Sequence, residues 1–550
     1  MLILTAYITF ASRYGNGNEE PYSMVRISEG YAIFGQTNSF SGGGLGYGDL
    51  FLIKVDTMGN LLWNRVYGRY ISPSTPREDY ATWMIGTSDG GFLMLGYTGV
   101  DPSPSDRMHL FMIKTNSLGT VSWAKRIGVN PIAVGEIDKA WSAVEDTGGY
   151  ILAGQTNTSP GADFDAIVLK VASDGSVIRW QKRLGRFKFG TDTVVAQLMF
   201  DIAKGPDGNY ILVGRVEDSL TTLPSGDPED WDIYAVKIRP NGDTVWTKRY
   251  RGQPTRTFVS GNRESAIGLT MLPSGNFVVV GYANTWESPS NNPAYRDMLV
   301  MKIRGTDGAV LWAKRVVSNG TYDLFRNAYY SNGYVFLSGE LNGDAVLIKM
   351  DTLGNLIWAK RFSTPSTDIG RYAFPTNING QQHVVFLLSS GGYAILIQLD
   401  SSGNYLRPPL CGYLTTISPT ISNVSLYAIP TRDSVYNLSF SINDASVATT
   451  NGINSNNLCP LNGDYELVVG ERESCKDAIV VKSSKGGLKL DVYKAGDYEI
   501  RVYDASGRSV REFNGYMGLG VYTLNVHRGL FFVEIIKDDK SLGIFKAVIM

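Results

Sequence analysis

Six near-copies of one phrase, a tryptophan followed by basic residues, recur along the chain: Leu62-Trp63-Asn64-Arg65, Ser122-Trp123-Ala124-Lys125-Arg126, Arg179-Trp180-Gln181-Lys182-Arg183, Val245-Trp246-Thr247-Lys248-Arg249, Leu311-Trp312-Ala313-Lys314-Arg315 and Ile357-Trp358-Ala359-Lys360-Arg361. The tryptophans are 60, 57, 66, 66 and 46 residues apart. A period of that size marks an array of supersecondary units, none of which can bury its apolar faces alone.

Each unit repeats one order. In the third, Asp138 to Val144, Gly149 to Gly154, Asp165 to Val171 and Ser176 to Leu184 are four short β runs, separated by turn signals such as Asp146-Thr147-Gly148-Gly149. Four strands per unit make a propeller blade. The third run is apolar on both faces, as in Phe51-Leu52-Ile53 and Val346-Leu347-Ile348, which suits a strand held between neighbouring sheets. The recurring Trp is then blade-to-blade packing, because a ligand-binding aromatic has no reason to recur in every unit.

Third strands end in Lys54, Lys114, Lys170, Lys237, Lys302 and Lys349, and a seventh reaches Gln398. Seven blades therefore fit residues 1–410. The seventh lacks a Trp strand, since Pro408 and Pro409 spoil its continuation. Thr9-Phe10-Ala11-Ser12-Arg13-Tyr14-Gly15 aligns with the Trp123 strand and is expected to complete the last blade; the alternative reading of residues 1–11 is the remains of a signal peptide.

Residues 411–462 are rich in Ser, Thr and Asn and read as a connector or small β module, with Cys411 and Cys459 as one disulfide option among the three cysteines. Alternating strands return over 463–550 as a compact Ig-like β-sandwich. The expected fold is thus all-β, a seven-bladed β-propeller followed by a small sandwich.

With 51 basic and 52 acidic residues the chain has no electrostatic footprint for nucleic acid, and no apolar stretch near its start is long enough to span a bilayer. His109, His383 and His527 stand alone in unlike contexts, and there is no nucleophile elbow, phosphate loop or dinucleotide fingerprint. No cofactor is expected, with a structural divalent cation left open. Acid pairs for glycoside hydrolysis leave no sequence signature, so catalysis stays an open alternative.

The connections inside each first-to-second and third-to-fourth hairpin are tight, while the others are long, so one face of the propeller is plain and the other elaborated. Two long connections draw attention as ligand-binding candidates. One carries Glu217, Asp218, Asp227, Glu229 and Asp230; the other carries Trp286 and Tyr295. Carboxylates beside aromatics suit a glycan or a divalent cation, and a solvated acidic loop is the plainer reading. An acidic residue also leads into each innermost strand, at Glu20, Asp79, Asp138, Glu264, Asp323 and Asp368, with Gln197 in the fourth unit. These would ring the channel mouth, and capping of local backbone donors is the simpler account. The Asp series opening the third strand, broken by His109, reads the same way.

The run Asp497-Tyr498-Glu499-Ile500-Arg501-Val502-Tyr503-Asp504-Ala505-Ser506-Gly507-Arg508, with Gly529 to Ile535 and Lys546 to Ile549, resembles the C-terminal sorting domain of type IX secretion substrates, without its usual Pro-Asn-Pro opening. The repeats resemble those of secreted bacterial propellers, and Gly354 to Trp358 is similar to the blade motif of quinoprotein dehydrogenases, a similarity of blade packing. The resemblances imply an extracellular or outer-surface protein. The expected function is recognition of protein or glycan through the long-loop face. The alternatives are an extracellular carbohydrate-active hydrolase or lyase, and a structural subunit of a surface layer or filament that self-assembles through its C-terminal domain.

Overall fold

The computed structural model describes residues 10–405 except 16, 40–47, 69–78, 100–107, 130–136, 158–163, 186–195, 218–230, 253–262, 285–295, 318–322 and 379. Beyond these it describes 413–424, 427–430, 434–437, 440–444, 448–450, 455–457 and 479–549, the last without 485–486, 493–495, 505–507, 518–519, 525–528 and 538–539. The chain divides into two compact units, the larger comprising Phe10–Asn404 and Gly412–Asn456.

The larger unit is a seven-bladed β-propeller. Its innermost strands are Glu19–Ile27, Asp79–Gly86, Asp138–Asp146, Gln197–Lys204, Glu264–Met271, Leu324–Ser331 and Asp368–Ile378, each followed outward by three antiparallel strands. In the seventh blade the fourth strand comes from the other end of the chain: Phe10–Tyr14 pairs antiparallel with Tyr393–Asp400, Phe10 opposite Gln398. One blade thus joins the two ends of the ring, and no open strand edge faces a gap.

The tryptophan phrase works between blades. Trp123, Trp180, Trp246, Trp312 and Trp358 donate Nε1–H to Ser173, Pro240, Gly305, Thr352 and Ser401, carbonyls in the turn that follows the third strand of the next blade, at 3.1–3.3 Å. The glycine of that turn is required twice over. Gly242 sits at φ +84°, and a Cβ there would lie 3.0 Å from the Trp180 ring. Apolar cores form between adjacent sheets, for example Phe34, Leu50 and Leu52 of blade one against Phe92, Met94 and Phe111 of blade two.

The third-strand lysines are buried at the plain-face end and find partners: Lys114 pairs with Asp89 at 2.7 Å, Lys170 with Asp146 at 2.6 Å and Lys237 with Asp207 at 2.6 Å. The acids belong to the tight first-to-second turns or the strand end beside them, so the plain face is fastened by ion pairs as well as by turn geometry.

The stretch expected to be a connector or small β module is neither. Leu414–Ile417, Thr420–Asn423, Tyr427–Pro430, Ser434–Asn437, Phe440–Asp444, Ala448–Thr450 and Ser455–Asn457 each add a fifth, outermost strand to one blade, in the order six, five, four, three, two, one, seven. The chain therefore runs once around the rim, against the direction in which the blades were laid down. Ile417 and Ile421 pack onto the core between blades five and six, and Lys360 donates to Thr416 Oγ1 at 2.8 Å. Cys411 and Cys459, the proposed disulfide, lie outside the described residues.

The smaller unit contains two antiparallel sheets, the make-up of a small β-sandwich. Ile479–Ser484, Gly487–Val492 and Gly520–Leu524 form one; Ser509–Met517, Gly496–Asp504, Gly529–Lys537 and Lys540–Ile549, in that spatial order, form the other. Ile500, Val502 and Val533 are fully buried. Among the described residues no helix is long and apolar enough to cross a membrane.

Candidate functional site

All seven innermost strands carry a β-bulge at the same level. The residues left out of register are Tyr22, Thr82, Trp141, Phe200, Ile267, Arg326 and Arg371. A bulge re-aims one side chain and bends its strand. Seven in register give a layer of side chains around the axis, and its members meet from blade to blade: Trp141 lies 5.8 Å from Phe200, and the Arg371 guanidinium sits 5.0 Å from the Tyr22 ring centre. These seven residues are unalike. The scaffold repeats while the layer does not, which separates packing from recognition.

From this layer, at the end from which the long connections leave, aromatic rings run unbroken across blades two, three and four. Tyr80 stacks on Tyr97 at 4.6 Å, Tyr97 meets Trp141 edge-on at 6.3 Å, and Trp141 meets Phe200. Trp141 is oriented by donating Nε1–H to Gln155 Oε1 at 2.8 Å. Cations lie against these rings. The Lys139 ammonium is 4.1 Å from the Tyr97 centroid and 5.7 Å from that of Trp141; the Arg215 guanidinium is 5.7 Å from Phe200 and 3.6 Å from Trp231; Arg263 covers Trp231 at 4.8 Å. Burial pushes the Lys139 ammonium below its ordinary pKa.

The arc has a charged neighbour and a floor. Arg371 pairs with Glu20, and Arg326 with Glu340 at 3.5 Å. Burial, then the adjacent Arg371, brings Arg326 down to about 10. Trp83 of blade two meets Tyr372 of blade seven at 5.9 Å. Those blades flank blade one rather than each other, so the two rings meet inside the channel, beneath the mouth. Asp201 ties three innermost strands together, accepting from Ser142 Oγ at 2.7 Å, Ile202 N at 2.8 Å and Leu269 N at 2.9 Å, and burial raises it to about 6.

Of the acidic candidates, Glu217 ends the second strand of blade four and is half-buried, while Asp218, Asp227, Glu229, Asp230, Trp286 and Tyr295 lie outside the described residues. Asp79, Asp138, Glu264, Asp323 and Asp368 are buried at 0–1% exposure. Asp138 accepts from Thr156 Oγ1 at 2.5 Å, Asp323 from Asn342 N at 2.5 Å, and Asp368 from Thr364 N and Oγ1. In blade one the strand register puts Glu19, not Glu20, in this series: Glu19 lies opposite Thr37 and accepts from its hydroxyl at 2.9 Å. Among the described residues no three His, Cys, Asp or Glu converge as metal ligands.

The Asp series opening the third strand bonds to side chains rather than to the backbone donors expected. Asp165, Asp232, Asp297 and Asp344 pair with Arg183, Arg249, Arg315 and Arg361, the last residue of the tryptophan phrase. Blade one breaks the pattern. Its Arg65 stands one place early, Val66 fills the pairing position, and Asp49 is buried with no hydrogen-bond partner among the described residues. Desolvation, with Asp79 nearby, raises Asp49 to about 7. The folded state therefore holds a proton that the unfolded chain releases near pH 4, and Asp49's contribution to stability falls by roughly 1 kcal/mol per pH unit between those values. Asp49→Asn is expected to remove that fall and to be the more stable form at pH 8. Denaturant melts of both forms from pH 4.5 to 8 check this, and a variant weaker than the parent at pH 8 would refute it.

The sequence reading passed over Tyr80, Tyr97, Lys139, Trp141 and Arg215. Their signal was available in one respect: Trp141 has no aromatic counterpart in blades two, five, six and seven, in contrast to the recurring packing tryptophans.

No family model and no curated protein matches the chain. Among solved structures it is similar to a polysaccharide lyase, at 10% identity and TM-score 0.38, covering 70% of this chain and 90% of that one. It is similar also to a Bacteroides uniformis protein assigned as a 6-phosphogluconolactonase, at 12% identity and TM-score 0.34, covering 64% and 95%. A neuraminidase-like protein of A/flat-faced bat/Peru matches at 10% identity and TM-score 0.35, covering 60% and 88%. At this distance the likenesses carry no argument about what the chain binds.

Proposed function

We propose that the chain is an extracellular glycan-binding propeller, with the ligand lying across the channel mouth on the long-loop face and the C-terminal unit serving sorting or attachment. The observation that carries this reading is the run of four rings, Tyr80, Tyr97, Trp141 and Phe200, over three consecutive blades. Sugars present C–H faces that rest on aromatic rings, and rings held by neighbouring rings and by a bond such as Trp141 to Gln155 lose little freedom on binding. The arc spans three blades, which suits an extended ligand passing over the mouth.

Trp141→Ala is expected to weaken binding by about tenfold or more, as loss of one well-packed aromatic anchor does. Affinity electrophoresis against a panel of neutral and acidic polysaccharides tests both the binding and the loss. Tyr329→Ala, on the far arc in blade six, serves as a control that should bind as the parent does. Equal affinity of the Trp141→Ala form and the parent for every polysaccharide retained would remove the arc from the function.

A further inference from the structure

Resting on that reading, we infer that the arc takes an anionic glycan chain, one carrying carboxylate or sulfate groups, and that Lys139 of blade three reads its charge.

The argument starts from where Lys139 is kept. Its Nζ is bracketed by the faces of Tyr97 and Trp141, and the residue is half-buried. Among the described residues it has no ion pair: the neighbouring carboxylate, Asp138, is turned into the blade and bonded to Thr156. Ring faces attract a cation but replace only part of the hydration it has given up. The third-strand lysines at the plain face are answered by a carboxylate or a carbonyl: Lys114, Lys170 and Lys237 have ion pairs, and Lys349, which also lies between two rings, donates to Ser401 O, whereas Lys139 has the rings without an ion pair among the described residues. A ligand anion arriving at Nζ would supply the missing counter-charge while the pyranose face rests on Tyr97 or Trp141.

The same pairing of cation and ring recurs along the arc. Arg215 lies over both Phe200 and Trp231, and Arg263 over Trp231 from the other side. Positive groups therefore alternate with ring faces across blades three, four and five. The chain as a whole is nearly neutral, with 51 basic and 52 acidic residues, so this is a local feature and not a general basicity. A polymer whose every sugar offers an apolar face and an acidic substituent matches such an alternation; a neutral glycan would bring no counter-charge to Lys139.

The test uses the whole chain and matched polymers that differ in charge: polygalacturonate against its methyl ester, and chondroitin sulfate against chondroitin. Isothermal titration at 20 mM and 300 mM salt gives the affinities. Binding at least about tenfold tighter to an acidic member of a pair, weakened by salt, supports the inference, and the favoured pair tells carboxylate from sulfate. Lys139→Gln is expected to lower that affinity about tenfold with binding of the neutral partner unchanged, and Lys139→Arg to restore most of it. Equal, salt-insensitive binding of charged and neutral partners would overturn the anionic assignment and leave the glycan reading intact. Binding of none of them would overturn both.

Discussion

Trp312→Ala is expected to cost about 3 kcal/mol of stability, and Trp312→Phe about 1 kcal/mol. The ring of Trp312 packs against the core shared by blades five and six, and its Nε1–H donates to Thr352 O across that boundary at 3.2 Å. Alanine removes both the buried area and the bond; phenylalanine keeps most of the area and leaves Thr352 O with its other donor, Lys302 Nζ at 3.1 Å. The residue opposite, Gly354 at φ +82°, has the Trp312 ring 3.3 Å from where a Cβ would stand. Gly354→Ala should therefore destabilise as well, through the left-handed backbone and the displaced ring together. In an array each unit contacts only its neighbours, so damage at one boundary is not shared out over the others. Equilibrium denaturation of the three variants gives the order directly, and a Trp312→Ala form that melts with the parent would show that the phrase is not what joins the blades.

The same phrase explains how much of the fold could be read in advance. Its tryptophans recur because they serve six of the seven blade boundaries, and the third strands read as apolar on both faces because two sheets enclose them. Repetition made these features visible. The channel mouth is the reverse case. Tyr22, Thr82, Trp141, Phe200, Ile267, Arg326 and Arg371 occupy equivalent bulges yet follow no common pattern, three being aromatic, two cationic and two neither, and a bulge leaves no mark in the sequence. Asp138 belongs to a recurring series and Lys139 beside it does not, so repetition marks the first and not the second. Buried carboxylates answering a local hydroxyl or amide look in sequence the same as carboxylates facing a channel, because strand alternation decides between them and a one-residue slip reverses it, as Glu19 and Glu20 show.

The outer strands were hidden for another reason. Each is three to five residues long and pairs along one edge only, and the stretch is rich in Thr, Ser and Asn, so that by composition it reads as a linker. The available clue was numerical: seven short segments, beginning at Leu414, Thr420, Tyr427, Ser434, Phe440, Ala448 and Ser455, for seven blades.

A chain ending after residue 457 is expected to be a soluble monomer, whereas one ending after residue 412 should associate with rising concentration and melt about 5 °C lower or more. The fourth strand of every blade would otherwise present a free row of backbone donors and acceptors to solvent, and an uncovered edge is a template for pairing with another chain. The belt covers those rows one by one: Thr420 to Asn423 pair with Val317 to Lys314 in blade five, and Leu414 to Ile417 with Phe362 to Ala359 in blade six. It also buries Ile417, Ile421 and Val424 on the blade cores, each worth about 1–2 kcal/mol. Because it passes all seven blades in reverse order, the belt links boundaries that the forward chain joins only through single connections. Ile421→Asp in the full chain separates edge protection from apolar anchoring. It keeps the backbone pairing with Val316 while putting a charge where the side chain meets the core, so it should lower the melting temperature with no change of oligomeric state. Light scattering over a hundredfold range of concentration reads the first effect and calorimetry the second. A 412-residue chain that stays monomeric and melts with the longer one would show that the rim strands lie on the propeller without holding it.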